Sequence, residues 1–376
     1  MRVVLAADKF KGSLTATEVA AALQIGLHRT APCADVVRVP VADGGDGTLA
    51  AALDAGFERH PVTVTGPTGL PVATAYGRRG STAVVELADA SGLLRLDGPL
   101  DPWGAGTIGT GEVLAAAVAD GCRRLVLGVG GSCSTDGGAG LVTALGARVL
   151  DETGTPVAPG ATGLVHARRL DLTELRARLQ DVQVVLASDV DNPLLGPSGA
   201  ATVYGPQKGA SPDDVAGLDE ALARWADLVA AATSDDLRDV PGAGAAGGAG
   251  FAALALLDAE VRSGVETVLD LVGFDDAVRG ADLVVTGEGS LDEQSLHGKT
   301  PVGVVAAAAR LGVPVVAVSG RSTLTQEALR EAGFRRVWSL AEREPDQSVS
   351  MRDAARLLTE VGADLGRSLH DLVTVR

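Results

Sequence analysis

Carboxylates, twice joined by ammonium groups, stand in this chain just after short and mostly apolar runs. Val3 to Ala7 leads into Asp8, Lys9, Lys11 and Ser13, and Val36 to Ala42 leads into Asp43 and Asp46. Leu283 to Thr286 leads into Gly287, Glu288, Gly289 and Asp292, with Lys299 shortly after. Carboxylates hold a hard cation such as Mg²⁺, while lysines and helix N-terminal amides hold phosphate oxygens, so the mixture suits a metal-nucleotide. Two more turns stand in the middle of the chain. Gly130 to Gly138, with Ser132, Thr135 and Asp136, is rich in the amides and hydroxyls that grip anions. Asp189-Val190-Asp191-Asn192-Pro193 puts two carboxylates and the single asparagine at a strand end, where the same residues would also make an ordinary turn.

Lysine usage singles out the same segments. Of 32 basic side chains only four are lysines, Lys9, Lys11, Lys208 and Lys299. In a background that writes arginine for lysine, a lysine that persists marks a place where a guanidinium cannot replace the compact ammonium. All four lie near glycines in loop-like segments, Lys208 beside Gln207 in Gly205-Pro206-Gln207-Lys208-Gly209, which points to phosphate or substrate contact. Gly298-Lys299-Thr300 is no P-loop, because that pattern needs glycine where Glu293 stands. The GxGxxG runs at Gly104 and Gly242 follow no strand, which argues against a Rossmann fingerprint. Cys133 reads as a small packed hydrophobe, and His297 is the one histidine in a candidate loop.

These residues need a scaffold, and the sequence describes one. An apolar strand, a loop and an amphipathic helix with Val19, Leu23 and Leu27 on one face open the chain. Thr15 and Glu18 make a capping box at the start of that helix. The βα pattern repeats at Val36 to Ala42 and returns from Leu283 onward, with strands at Val313 to Val318 and 335–340 and helices at Pro301 to Arg310, 325–332 and 350–366. Five strands suffice for one flavodoxin-like doubly wound parallel sheet, whose ligands bind where strands end. The loops after residues 7, 42, 286 and 318 then share one rim. Between them the pattern changes, with strands at 62–65, 72–76 and 82–87 and then around 124–129 and 183–188. This predicts an α/β fold in which residues 1–60 and 269–376 form one domain and 61–268 a second α/β domain inserted in it.

Composition sets the class. A chain of 376 residues, 46% apolar, has core enough for two domains without disulfide or metal staples. Its three cysteines form no CxxC. A net charge of −16 would repel a nucleic-acid backbone or an anionic membrane, which excludes both as partners. With no signal segment and no apolar stretch of about 20 residues, the expected location is the cytoplasm.

In order along the chain, these segments resemble the glycerate kinase type 1 family over nearly its whole length. The residues that carry the likeness are Ala7 to Leu14, Ala42 to Thr48, Gly130 to Ser132 with Thr135 to Gly140, Asp189 to Pro193, Gly205 to Gly209, Gly242 to Gly250, and Thr286 to Asp292 with Gly298-Lys299. The chain departs from the usual pattern at Ala7, Asp46, Ser188 and Ser290, where proline, glutamate, cysteine and arginine are common. The last departure removes a donor fork from a phosphate-facing loop. The resemblance implies transfer of the ATP γ-phosphoryl to a hydroxyl of D-glycerate with Mg²⁺, in an interdomain cleft that excludes water, with the 2-hydroxyl favoured over the 3-hydroxyl. It implies catalytic work for Asp189, Asp191 and Lys9, either aspartate being able to take the acceptor proton. Substrate and phosphate would be bound by Asp8, Lys11, Ser13, Ser132, Thr135, Asp136, Asn192, Gln207, Lys208 and Lys299. Gly287, Glu288, Gly289 and Asp292 would hold the nucleotide, and Asp43, Asp46 and Glu288 the metal. A homodimer is left open. Rival readings are a noncatalytic sugar-acid or nucleotide sensor and an FMN or NAD oxidoreductase. The 3% aromatic content, with Phe10 alone in the candidate loops, disfavours a flavin.

Overall fold

Val3, Leu5 and Ala7 belong to one buried cluster and Val4 and Ala6 to another. A strand buried on both faces is the mark of a parallel sheet with helices on either side. The computed structural model describes residues 1–296 and 299–374. Its strands are β1 Arg2–Ala7, β2 Asp35–Arg38, β3 Glu58–Thr65, β4 Pro71–Arg79, β5 Thr82–Glu86, β6 Arg124–Gly128, β7 Arg148–Leu150, β8 Arg169–Asp171, β9 Gln183–Ala187, β10 Glu260–Arg262, β11 Leu283–Leu291, β12 Val315–Ser322 and β13 Phe334–Ser339. Two units divide the chain: Met1–Asp43, Ala50–Ala55 and Val265–Arg376 form the first, and Gly44–Leu49 with Gly56–Gly264 the second.

The first unit carries the five-stranded sheet β2-β1-β11-β12-β13, parallel throughout. Numbered within the unit this order is 2-1-3-4-5, that of flavodoxin, and its switch point lies between β1 and β11. On one face pack the helices Ala16–Thr30 and Ala354–Thr374, and on the other Thr300–Arg310. The capping box is present, with the Thr15 side chain accepting from the Glu18 N–H and Glu18 from the Thr15 N–H.

Several element boundaries differ from the sequence expectation, among them that of β12, which runs Val315–Ser322 rather than Val313 to Val318. β2 ends at Arg38 rather than Ala42, although Val39 and Val41 still donate to Leu5 and Ala7. β11 does not stop at Thr286. Gly287 and Glu288 stay in register with Val318 and Ser319, and Ser290 and Leu291 with Arg321 and Ser322, so the glycine-rich segment is strand. The expected helix at 350–366 is two helices, Gln347–Arg352 and Ala354–Thr374.

In the second unit the sheet order is β10-β9-β6-β5-β4-β3, parallel from β10 to β5 and antiparallel from β5 to β3. A small antiparallel pair, β7-β8, lies apart from it. Trp225 and Phe251, both almost wholly buried, anchor its core.

Candidate active site

A sheet of this order binds ligands outside the carboxyl ends of the strands at its switch point, here β1 and β11. Asp8 follows β1 directly and is buried. Its Oδ1 accepts from the Lys9 backbone N–H at 2.6 Å and lies 3.5 Å from Lys9 Nζ, while its Oδ2 accepts from Thr300 Oγ1 at 2.9 Å. Thr300 opens the helix Thr300–Arg310 and Lys299 is its cap residue, so Asp8 meets the positive end of a helix. Burial pushes the Asp8 carboxyl up to about 6, Lys9 pulling it down and Asp43 pushing it further up. Glu288 rises to about 7, again by burial first, with Asp8 and Asp292 acting in the same sense and Ser295 and Lys299 against it. Lys299 Nζ stands 3.9 Å from Asp292 Oδ1. Asp8, Lys9, Asp43, Glu288, Asp292 and Lys299 are thus one electrostatic group. Gly289 lets the loop after β1 come close, since a Cβ there would lie 3.3 Å from the Lys11 nitrogen. Lys11 itself is exposed, and Ser13 Oγ donates to the Met351 carbonyl at 2.6 Å. His297 and Gly298 lie outside the described residues.

The rim also holds groups that the sequence did not single out. Thr300 is one. Ser295 Oγ donates to the Ser290 carbonyl at 3.2 Å, and Arg321 Nε donates to Ser290 Oγ at 3.2 Å from the next strand. The only signal for Arg321 was its place after the apolar run that ends at Val318. Thr286 Oγ1, Glu288 Oε1 and Ser319 Oγ are buried with no hydrogen-bond partner among the described residues. Buried polar atoms are normally paired, so these three mark a rim that is completed by something else.

Mg²⁺ fits this donor set in a limited way. Among the described residues no three His, Cys, Asp or Glu side chains gather as a metal cage. Mg²⁺ is usually held by one or two carboxylates plus the phosphates it arrives with. The Glu288 oxygen without a partner, beside the crowded Asp8, suits that arrangement.

The second unit gathers a different set at the ends of its parallel strands. Asp46 lies here, against Gly131 of the turn after β6. The expected metal trio is therefore divided, Asp43 and Glu288 in the first unit and Asp46 in the second. Asp189 follows β9, is exposed, and its Oδ1 accepts from the Gly264 N–H at 2.9 Å. Asp191 is also exposed. Asn192 donates to the Ser198 carbonyl at 2.8 Å and accepts from Tyr204 Oη at 2.6 Å, which commits its amide to the turn. Ser132 and Thr135 are buried, and Gln207 is exposed. Asp136 is fully buried and accepts from Thr107 N, Thr107 Oγ1, Gly138 N and Gly140 N at 2.8–3.2 Å. Burial still raises its pKa against these four donors. Lys208 is buried as well, its Nζ donating to the Ser134 carbonyl at 2.6 Å, and burial lowers its pKa to about 8. Asp136 and Lys208 hold the turn after β6 together from inside.

A doubly wound α/β unit whose switch point alternates ammonium groups with crowded carboxylates is the build of a phosphoryl-transfer enzyme. Comparison with known proteins sharpens that class. Residues 3–370 match the glycerate kinase family. The chain is 41% identical over 375 residues to glycerate kinase of Bacillus subtilis strain 168, covering 98% of each chain. It is 41% identical over 345 residues to glycerate 2-kinase of Escherichia coli K12, covering 90% of each. A crystal structure from Salmonella typhimurium LT2 bearing the name glycerate kinase 2 superposes with a TM-score of 0.85 at 38% identity, covering 99% of this chain and 98% of that one. The chain belongs to the glycerate kinase family and is a kinase. Among the described residues no helix is long and apolar enough to cross a membrane.

Proposed function

We propose that this kinase transfers the γ-phosphoryl of ATP to the 2-hydroxyl of D-glycerate, giving 2-phosphoglycerate and ADP. The observation that carries the reading is the rim of the first unit, where Lys9 and Lys299 alternate with Asp8, Asp43, Glu288 and Asp292 at the switch point. The name of the E. coli relative, glycerate 2-kinase, supports the 2-position. Lys9, Lys299 and Arg321 bind phosphate oxygens, and Asp8 and Glu288 are the carboxylates that would hold Mg²⁺. With the nucleotide, these two carboxylates would present an ion whose chemistry there would be neutralisation of phosphate charge. The acceptor oxygen forms a bond to the γ-phosphorus as the bond to the β,γ-bridging oxygen breaks and ADP leaves. The hydroxyl proton passes to a carboxylate late in the transfer. Asp189 is the favoured acceptor because the Gly264 N–H orients it, and Asp191 is the alternative. Little covalent chemistry is asked of the protein, since positioning and charge neutralisation carry phosphoryl transfer.

The test is ADP release with and without D-glycerate, followed by ³¹P NMR of the product. Glycerate-dependent release with 2-phosphoglycerate as product is expected. A product phosphorylated at the 3-hydroxyl would overturn the regiochemistry, and release that ignored glycerate would overturn the acceptor. Asp189→Asn should lower kcat by about 10²–10⁴-fold with folding and ATP binding retained. An unchanged kcat there, with a loss in Asp191→Asn, would move the base to Asp191.

A further inference from the structure

Strand β5 ends on a carboxylate that none of the roles above uses. Glu86 is 7% exposed, and its Oε2 accepts from the backbone N–H groups of Gly47 and Leu49, each at 3.1 Å. Both amides lie at the start of the helix Thr48–Asp54, where backbone donors have no carbonyl of their own helix to meet. Gly47 directly follows Asp46. The rest of that loop is fitted by close contact. A Cβ on Gly128 would lie 2.5 Å from the Gly44 carbonyl oxygen, one on Gly130 would lie 2.6 Å from Gly45 Cα, and one on Gly131 would collide with Asp46 Oδ1. These glycines at the end of β6 leave the room that Gly44 to Asp46 occupies. Thr48 Oγ1 closes the turn by donating to the Gly45 carbonyl at 2.7 Å. Asp46 is therefore bounded on its side chain by the glycine turn and tied through the backbone that follows it by Glu86.

We propose that Glu86 is the positioning residue for Asp46: it fixes the Gly44–Leu49 loop so that the Asp46 carboxylate is offered in one orientation for phosphoryl transfer. The inference rests on the kinase reading and on the expectation, set out from the sequence, that Asp46 serves phosphoryl transfer, but what holds the loop is independent of both. Burial raises the Glu86 pKa to about 7, with Asp89 and Asp46 pushing the same way and the two amides pulling it down. A leucine at this strand end would pack without that electrostatic cost, so the two N–H contacts are what the position supplies.

Glu86→Ala removes the acceptor, Glu86→Gln keeps an oxygen of the same reach, and Asp46→Asn removes the positioned charge. In Glu86→Ala the Gly47 and Leu49 amides should lose protection from hydrogen exchange. Its kcat should fall about 10–100-fold, the size of loss usual for a residue that orients another, with KM for ATP and D-glycerate little changed. Glu86→Gln should recover most of that loss. Adding Asp46→Asn to Glu86→Ala should cost little more, because residues acting as a unit are not additive. A wild-type kcat in Glu86→Ala, or losses that multiply in the double variant, would overturn the proposal. If Glu86→Ala does not fold, Glu86→Asp, one methylene shorter, takes its place in the same cycle. Exchange at Gly47 and Leu49 is read without substrate. A wild-type protein with no glycerate-dependent ADP release would therefore defeat the functional reading, and exchange alone would then decide what holds the loop.

Discussion

Lys208 shows what the scarcity of lysine records. Its ammonium lies wholly inside the second unit, bonded to the Ser134 carbonyl, and a Cβ on Gly247 would stand 2.8 Å from Nζ. There is no room for a guanidinium, so the residue stays lysine for packing as much as for charge. Lys208→Arg should therefore destabilise by about 1–3 kcal/mol, the usual cost of overpacking, read as a lower urea midpoint. Lys9, part-exposed beside Asp8, should behave in the opposite way. Lys9→Arg is expected to keep the midpoint and raise KM for ATP, because a wider cation cannot sit in the same relation to Asp8 and the phosphates. Arg321→Met should raise KM for ATP by roughly 10–100-fold, from the loss of one charge-assisted contact, with stability unchanged. Arg321 reaches Ser290 from the neighbouring strand, which puts a guanidinium beside the position where the resemblance places an arginine. Residue type, lysine scarcity and position after a strand were enough to single out Asp8, Lys9, Glu288 and Lys299, which the structure gathers into one charged group. They could not name Arg321, Thr300 or Glu86, whose partners are set by strand register or lie far away in sequence.

At the scale of elements, local rules were legible and sheet-wide ones were not. The capping box of Ala16–Thr30 involves residues three apart, and it formed as its pattern requires. The extension of β11 to Leu291 depends on β12 running on to Ser322, a fact about another strand that no window around Gly287 contains. Helix packing is nonlocal in the same way. Gly26 reads as an ordinary weak spot in a helix, yet a Cβ there would collide with the Thr359 carbonyl, and one on Gly362 with that of Leu23. The two glycines bring Ala16–Thr30 and Ala354–Thr374 together over the face of the sheet that carries Val3, Leu5 and Ala7. Gly26→Ala, which in an isolated helix would be favourable, should instead cost about 1–3 kcal/mol here. Denaturant unfolding checks the sign. A variant as stable as wild type would mean that the helices separate without loss.

For the molecule as a whole, a core with buried ionisable groups ties stability to pH, and two of those groups act in opposite directions over different ranges. Glu86 has its pKa raised from 4.5 to about 7. A carboxyl that holds its proton more tightly when folded favours the fold most below about 4.5, and that contribution is lost as the pH rises through about 7. Lys208 has its pKa lowered from 10.5 to about 8. An ammonium that holds its proton less tightly when folded disfavours the fold while charged, below about 8, and the fold recovers as the pH rises from about 8 toward 10.5. Each shift corresponds to on the order of 3 kcal/mol, so together they place a shallow minimum between about pH 7 and 8. The net charge of −16 deepens the acid-to-neutral side, because each further carboxylate adds to self-repulsion. Thermal midpoints measured from pH 5 to pH 10 should fall and then rise in the wild-type protein. Glu86→Gln should make the descending limb less steep, Asp8 and Glu288 supplying the rest of it, and Lys208→Met should do the same to the ascending limb. Equal slopes in wild type and Glu86→Gln between pH 5 and 7 would show that the Glu86 carboxyl is not the group being titrated there, and that the loss of stability comes from Asp8, Glu288 and the charge of the whole chain.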